Sequence, residues 1–237
     1  MYISLPTTTL LATLLTLTAA APTAAPKLRI MPLGDSITEI TCWRPLVWDL
    51  LVASNLSNSV EFVGSMTNNP QNCVGKTSTW DKHHEGHSGY LAVNIAANNL
   101  QGWLASAKPD VVMFMLGTND IVQQGKSTSE IVAAYSKMLG LMRSSNANMK
   151  IIIDLVIPIG IGSYQSQVNA LNKAIPTWVA QQTTKQSPIV IADCATGFTT
   201  GMLRDGIHPN AAGDAVIAKA VGPVLVDTVR KALNGTS

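Results

Sequence analysis

Short apolar runs rich in β-branched residues alternate along the chain with longer segments of helical character. Continuous apolar runs are typical of strands buried on both faces of a parallel sheet, whereas half-exposed strands alternate with polar residues. The predicted strands are KLRIMPL (27–33), VEFVG (60–64), DVVMFMLG (110–117), KIIIDLVIP (150–158) and SPIVIADC (187–194). The helix-like stretches lie near 44–54, 90–106, 128–145, 165–184 and 209–232.

The alternation of strand and helix predicts right-handed crossovers, and therefore a three-layer α/β/α sandwich around a five-stranded parallel sheet. Five strands in this length of chain favour the flavodoxin-like order 2-1-3-4-5 over a barrel. The chain has 237 residues, of which 46% are hydrophobic and 13% charged. That composition suits one well-buried domain, which we assign to residues 26–237.

Residues 1–25 carry no charged side chain and combine an apolar stretch with a tail of small residues. We predict that they form a secretory signal peptide, cleaved between Ala19 and Pro26, and that the mature protein is extracellular. A buried or membrane helix is the alternative, but the apolar stretch is short for a membrane span. The formal net charge of +2, without a basic cluster, argues against nucleic acid or a membrane surface as a partner. We expect a monomer.

Three cysteines in an oxidising compartment are most simply arranged as one disulfide and one free thiol. Cys42 and Cys73 lie in polar connecting segments, whereas Cys194 ends an apolar run and is expected to be buried. We therefore predict a Cys42–Cys73 disulfide. Sequons at Asn55 and Asn234 are candidate glycosylation sites.

Three polar motifs follow predicted strands: GDS (34–36), GTND (117–120) and DGIHP (205–209). Sites in open α/β sheets form at the carboxyl ends of the strands, so the fold would bring these motifs together. A serine hydroxyl needs a base to take its proton, and an imidazole oriented by a carboxylate serves that purpose. We predict Ser36 as nucleophile, His208 as base and Asp205 as the orienting acid. The alternatives are a helix-capping serine and an exposed turn with an incidental histidine.

An ester hydrolase also needs donors for the oxyanion that forms when the carbonyl is attacked. The backbone N–H of Ser36, a glycine N–H from the long loop and the side-chain amide of Asn119 are our candidates. Gly89 is the predicted glycine. Helix capping by Asn119 and a simple turn at Gly89 are the alternative interpretations. We expect Asp35 to cap the turn rather than to act as the triad acid.

The segment 65–88 is long and polar, and a disulfide through Cys73 would hold it beside Ser36. Its histidines could suggest a metal, but their spacing matches no closed zinc site, and we predict neither a metal nor a cofactor. These histidines are His83, His84 and His87, with Glu85 between them. A structural Ca²⁺ site remains an alternative, because Asp81 and Asn68 offer oxygen ligands. Flat rings suit sugar faces, so Trp43, Tyr90 and Tyr164 are candidate substrate contacts, with packing in the core or at the surface as the alternative.

The motifs GDSIT, GTND and DGIHP resemble the successive blocks of the GDSL, or SGNH, hydrolase superfamily, over about residues 28–232. Carried over block by block, the resemblance implies Ser36, Gly89, Asn119, Asp205 and His208 as the site residues. Gly75 and Gly86 are the alternatives for the glycine. MPLGDSITEITCWR together with EGHSGY is similar to the acetylxylan esterases of carbohydrate esterase family three. That similarity implies a serine esterase that removes O-acetyl groups from xylan or other acetylated sugars.

Alternative functions remain open at the level of sequence. A lipase or lysophospholipase of the same superfamily would need a long apolar acyl channel. A non-catalytic secreted protein could keep the fold and bind carbohydrate. A metallophosphoesterase would need an early D-x-H motif and more late histidines, whereas only His208 follows residue 87.

Overall fold

A computed structural model describes residues 1–3 and 26–235, so the predicted signal peptide lies almost wholly outside the described residues. Within the described part, a parallel sheet is the centre of the structure. Its strands are β1 (Leu28–Gly34), β2 (Val60–Phe62), β3 (Glu85–Gly86), β4 (Val111–Met115), β5 (Lys150–Asp154) and β6 (Ile189–Ala192). The order β2-β1-β4-β5-β6 confirms the predicted flavodoxin-like order of the five apolar strands.

The sheet contains a sixth strand that the prediction lacks. Strand β3 has only two residues and no apolar run, so neither periodicity nor composition marks it in the sequence. It pairs with the end of β1, with Leu33 opposite Glu85, whereas β2 pairs with the beginning of β1. The two short strands therefore share one edge of β1, and β3 brings the end of the long polar loop beside the segment that carries Ser36.

Eight α-helices surround the sheet in the described residues. They are α1 (Ser36–Glu39), α2 (Trp43–Ala53), α3 (Ala92–Asn94), α4 (Leu100–Ala107), α5 (Thr118–Gln124), α6 (Thr128–Ser145), α7 (Gln165–Gln182) and α8 (Ala211–Leu233). A π-helical turn over Ile95–Asn99 joins α3 to α4. Helix α2 packs against α8, while α6 packs against both α4 and α7, as expected for two helical layers. None of the helices in 26–235 is both long and apolar enough to cross a membrane.

The central strands are buried along their whole length. All five residues of β4 and the last four of β5 are buried, which explains their continuous apolar runs. Strand β6 lies at the sheet edge, and its Val190 is accordingly 37% exposed. A continuous apolar run in the sequence therefore indicates a strand that is buried on both faces of the sheet. The burial is less complete in β6, which lies at the sheet edge.

The polar loop between β2 and β3 is attached to the segment after α1 by two devices. A disulfide joins Cys42 to Cys73, as predicted, and Cys194 is a buried free thiol. The guanidinium of Arg44, a side chain of α2 that is only 1% exposed, donates hydrogen bonds to the carbonyl oxygens of Lys82 and Asn68. These contacts fix the loop to the body of the fold, although most of its residues are exposed or only partly buried.

Candidate active site

Ser36 lies at the turn from β1 into α1. A Cβ on Gly34, the last residue of β1, would lie 2.2 Å from Oγ1 of Thr38, so the tight turn requires glycine. Asp35 caps the short helix, because its Oδ1 accepts a hydrogen bond from the N–H of Ile37 at 2.9 Å. Ser36 is 8% exposed. The turn thus holds the serine at the carboxyl end of the sheet, where a small part of it remains accessible.

A chain of hydrogen bonds joins Ser36, His208 and Asp205. Oγ of Ser36 lies 2.8 Å from Nε2 of His208, and Nδ1 of His208 lies 2.7 Å from Oδ2 of Asp205. Oδ1 of Asp205 accepts hydrogen bonds from the backbone N–H groups of Ile207 and His208. Partial burial raises the pKa of Asp205, but the hydrogen bonds from His208 and Ile207 outweigh it and lower the pKa to about 2. The carboxylate is therefore ionised at neutral pH and accepts from the imidazole.

The turn that carries Asp205 and His208 is anchored on the loop after β5. The N–H of Gly160 donates to the carbonyl oxygen of Gly206 at 2.7 Å. Gly206 has φ of +85°, and a Cβ there would lie 2.5 Å from Cγ2 of Ile161, so a side chain is excluded. Helix α8 begins at Ala211, capped by the Asn210 side chain, two residues later than the sequence pattern suggests.

The candidate oxyanion donors lie on the segments that follow β3 and β4. Nδ2 of Asn119 donates to the carbonyl oxygen of Tyr90 at 3.0 Å and lies 3.4 Å from Oδ2 of Asp35. Nε2 of Gln123 donates to the carbonyl oxygen of Gly89 at 3.2 Å. Helix α5, which carries Asn119 and Gln123, therefore orients the turn that contains Gly89.

The structure distinguishes between the three glycines that the sequence leaves open. The N–H of Gly86 donates to Nδ1 of His84 at 3.0 Å, so it is not available to a ligand. Gly75 lies against the carboxylate of Asp49. Within the described residues, the N–H of Gly89 donates no hydrogen bond. These contacts favour Gly89.

A polar network under this turn was missed by the sequence analysis. The carboxylate of Glu39, at the end of α1, accepts hydrogen bonds from the N–H of Ser88 at 2.6 Å and from Nδ2 of Asn68 at 2.7 Å. Oδ1 of Asn68 lies 2.9 Å from Nε2 of His84. Burial, followed by the charge of Arg44, lowers the pKa of His84 to about 3, so this imidazole is neutral. No periodic or motif signal marks these residues, because their partners come from separate loops.

The loop histidines have separate partners. Nδ1 of His83 lies 2.7 Å from Oδ1 of Asp81, whereas Nε2 of His87 lies 2.6 Å from Oε1 of Glu85. The other oxygen of Asp81 accepts from the N–H of Phe62. Over 26–235, no three His, Cys, Asp or Glu side chains are grouped so as to hold a metal ion. The oxygen atoms suggested for Ca²⁺ are already hydrogen-bonded to the protein.

The three predicted substrate contacts differ in position. The structure favours the packing alternative for Trp43: it is 3% exposed, and its indole N–H donates to the carbonyl oxygen of Ile37 at 2.9 Å, because the first turn of α2 faces the core. Tyr90 is 38% exposed and is joined to Asn119 through its carbonyl oxygen. Tyr164 is partly buried at the start of α7. The sequon residues Asn55 and Asn234 are both exposed.

Comparison with known proteins gives a consistent family. The profile of the GDSL-like Lipase/Acylhydrolase family matches residues 33–216. A curated multidomain esterase of Ruminococcus flavefaciens is 26% identical over an alignment of 226 residues, and the match covers 84% of this chain and 29% of that protein. The chain therefore spans less than a third of the length of this relative.

Two solved structures are more similar. One is a carbohydrate esterase family 3 protein from Talaromyces cellulolyticus, and the other is a serine-to-alanine mutant of an acetyl esterase with an acetate ion. Each is 48% identical, superposes with a TM-score of 0.83, and is matched over 86% of this chain and 99% of its own. The chain belongs to the GDSL-like lipase/acylhydrolase family and, within it, to carbohydrate esterase family 3.

Proposed function

We propose that this protein is a secreted serine esterase that removes acetyl groups from acetylated xylan or related acetylated sugars. The observation that carries the proposal is the hydrogen-bonded chain from Ser36 through His208 to Asp205. An alcohol, an imidazole and an ionised carboxylate in this order are what acyl transfer to serine requires.

In the first half of the reaction, Oγ of Ser36 bonds to the acetyl carbonyl carbon while Nε2 of His208 accepts its proton. The Asp205 carboxylate holds Nδ1–H and stabilises the imidazolium. When the tetrahedral intermediate collapses, the bond to the sugar oxygen breaks and His208 returns its proton to that oxygen. The products of this half are the free sugar hydroxyl and an acetyl ester on Ser36.

In the second half, water attacks the acetyl-serine and gives its proton to His208. Collapse breaks the bond to Oγ, which recovers a proton from His208 as acetate leaves. In both halves the carbonyl oxygen becomes negative, and the N–H groups of Ser36 and Gly89 and the amide of Asn119 would hold it. The existing bond from Asn119 to Tyr90 orients this amide before substrate arrives.

The acetyl group is supported by similarity, since a structure of an acetyl esterase with an acetate ion is 48% identical to this chain. Sugar as the alcohol portion is supported by membership of a carbohydrate esterase family and by the exposed Tyr90 ring. Secretion is supported by the Cys42–Cys73 disulfide, which is stable in oxidising compartments.

The direct test compares acetate release from acetylated xylan and acetylated monosaccharides with hydrolysis of octanoyl and palmitoyl esters. We expect acetyl esters to react at least tenfold faster in kcat/KM than the long-chain esters. Faster hydrolysis of long-chain esters would favour the lipase alternative. Xylan binding without acetate release would favour the non-catalytic alternative.

A further inference from the structure

A cavity of about 360 Å³ opens between α4 and the β2 edge of the sheet. Its volume is within the range of about 300–1,000 Å³ that small-molecule sites occupy. Its lining includes Trp103, Ser106 and Ala107 of α4, together with Asp81, His83 and Glu85. Arg29 and Glu61 also line the cavity. None of these residues belongs to the catalytic chain described above.

Three rings, which we call the aromatic strip, connect the candidate oxyanion site to this cavity. They are Tyr90, His87 and Trp103. Tyr90, whose carbonyl oxygen accepts from Asn119, has its ring centre 5.0 Å from that of His87. His87 stacks on Trp103 at 4.5 Å with an interplanar angle of 9°. Because Trp103 lines the cavity, the three rings form a chain of contacts that runs from Tyr90, the residue bonded to Asn119, to the cavity wall. The His87 side chain in the middle is 15% exposed.

The middle ring of the strip is held in one orientation. Nε2 of His87 lies 2.6 Å from Oε1 of Glu85, a carboxylate that is only 1% exposed. Glu85 in turn accepts from the N–H of Ser65 at 2.9 Å and from its hydroxyl at 2.6 Å. A ring fixed in this way loses little conformational freedom when a ligand binds, which favours affinity.

The chemistry of the cavity suits a sugar better than an acyl chain. Flat rings such as Trp103 pack against the C–H face of a pyranose, and hydroxyl groups need donors and acceptors around it. The indole N–H of Trp103 has no hydrogen-bond partner in the described part of the chain and is not sealed from solvent. His83 is 52% exposed, and Glu61 is 36% exposed. An acyl chain would have to desolvate these charged and polar groups without compensation.

We propose that the aromatic strip and this cavity bind a neighbouring sugar residue of the xylan-type chain whose acetylated residue lies at Ser36. The proposal rests on the proposed function for the identity of the chain. It adds a second binding position, so a substrate with several sugars gains contacts that a small acetyl ester lacks.

The first test measures the ratio of kcat/KM for acetylated xylo-oligosaccharides to kcat/KM for 4-nitrophenyl acetate. Trp103→Ala is expected to lower this ratio about tenfold, which corresponds to about 1.4 kcal/mol. Trp103→Phe keeps a flat ring and should retain most of the ratio. An unchanged ratio in Trp103→Ala would overturn the proposal.

A second pair of variants avoids loss of the Trp103 ring. Ser106→Trp places a large side chain at the cavity wall, and Ala105→Trp places the same side chain at an exposed position of α4 outside this cavity. We expect Ser106→Trp to lower the ratio at least fivefold and Ala105→Trp to leave it within twofold of wild type. Equal effects from the two variants would contradict the proposal.

A binding measurement separates this proposal from the catalytic one. In a Ser36→Ala background, calorimetry with deacetylated xylo-oligosaccharides should show binding that Trp103→Ala weakens about tenfold. Binding that Trp103→Ala leaves unchanged, or no binding at all, would reject the sugar position. Absence of acetate release by the wild-type enzyme would instead reject the proposed function.

Discussion

Oγ of Ser36 and Nε2 of His208 lie 2.8 Å apart although 172 residues separate them in the chain. The serine comes from the turn after the central strand β1, and the histidine comes from the turn before the last helix, α8. Both turns lie at the carboxyl edge of the parallel sheet, where sites in open α/β folds form. The contact therefore depends on the whole fold, and each residue in it can be tested separately.

Ser36→Ala is expected to abolish acetate release from acetylated xylan, because no other hydroxyl in the described residues is hydrogen-bonded to Nε2 of His208. Initial rates of acetate release measure the effect. Ser129→Ala, at an exposed position on α6, is the control for the substitution and should retain wild-type rates. Turnover by Ser36→Ala above one tenth of wild type would reject the acyl-enzyme scheme.

Asp205→Asn is expected to reduce kcat about 10⁴-fold, because an amide can favour the wrong tautomer of His208 and cannot stabilise the imidazolium. Since the pKa of Asp205 is about 2, we also expect no loss of activity from protonation of this carboxylate between pH 5 and 8. Steady-state kinetics across this pH range check both expectations. Asp227→Asn, an exposed carboxylate on α8, is the matched control. A kcat within tenfold of wild type would show that Asp205 does not orient the base.

Asn119→Ala is expected to reduce kcat about 10²–10³-fold with a small change in KM, because one donor to the oxyanion is lost. We expect kcat to fall more than substrate affinity, since the negative charge on the carbonyl oxygen develops only in the transition state. Asn94→Ala, at an exposed position of α3, should leave kcat unchanged. An effect of Asn119→Ala confined to KM would indicate a role in substrate binding.

The Cys42–Cys73 disulfide is expected to stabilise the fold by about 3–4 kcal/mol, since it closes a loop with a sequence separation of 31 residues. The double substitution Cys42→Ser/Cys73→Ser should lower the free energy of unfolding by about this amount in urea titrations. It should also lower kcat, because the loop leads through β3 to the turn that carries Gly89. Cys194→Ala keeps the disulfide, so its stability should still fall when a thiol reductant is added. Insensitivity of the wild type to reductant would contradict this prediction.

Asp214, at the start of α8, should make the protein less stable as the pH rises from about 4 to 6. It is 3% exposed, and burial raises its pKa from 3.8 to about 6, although the N–H of Cys42 donates to it. In this range the unfolded chain ionises the carboxyl while the folded chain keeps it protonated, so stability falls as the pH rises.

Asp214→Asn keeps an oxygen acceptor for Cys42 and removes this titration. Between pH 4 and 7 we therefore expect the free energy of unfolding of wild type to fall by about 2–3 kcal/mol relative to that of Asp214→Asn. Urea unfolding at pH 4, 5, 6 and 7 measures the difference, and Asp227→Asn should follow wild type. If the free energy of unfolding changes with pH in the same way in Asp214→Asn and wild type, the titration of Asp214 does not cause the loss of stability.

The sequence by itself determined the strands, their order and the three polar motifs, because a strand buried on both faces must be apolar along its length. It also indicated the disulfide, since only Cys194 ends an apolar run. It could not show the two-residue strand β3, the burial of Trp43 or the separate partners of His84 and His87. These depend on contacts between loops, which leave no periodic signal along the chain. Only the tertiary structure distinguished the free N–H of Gly89 from the bonded N–H of Gly86, because such a choice depends on which partner lies within hydrogen-bond distance.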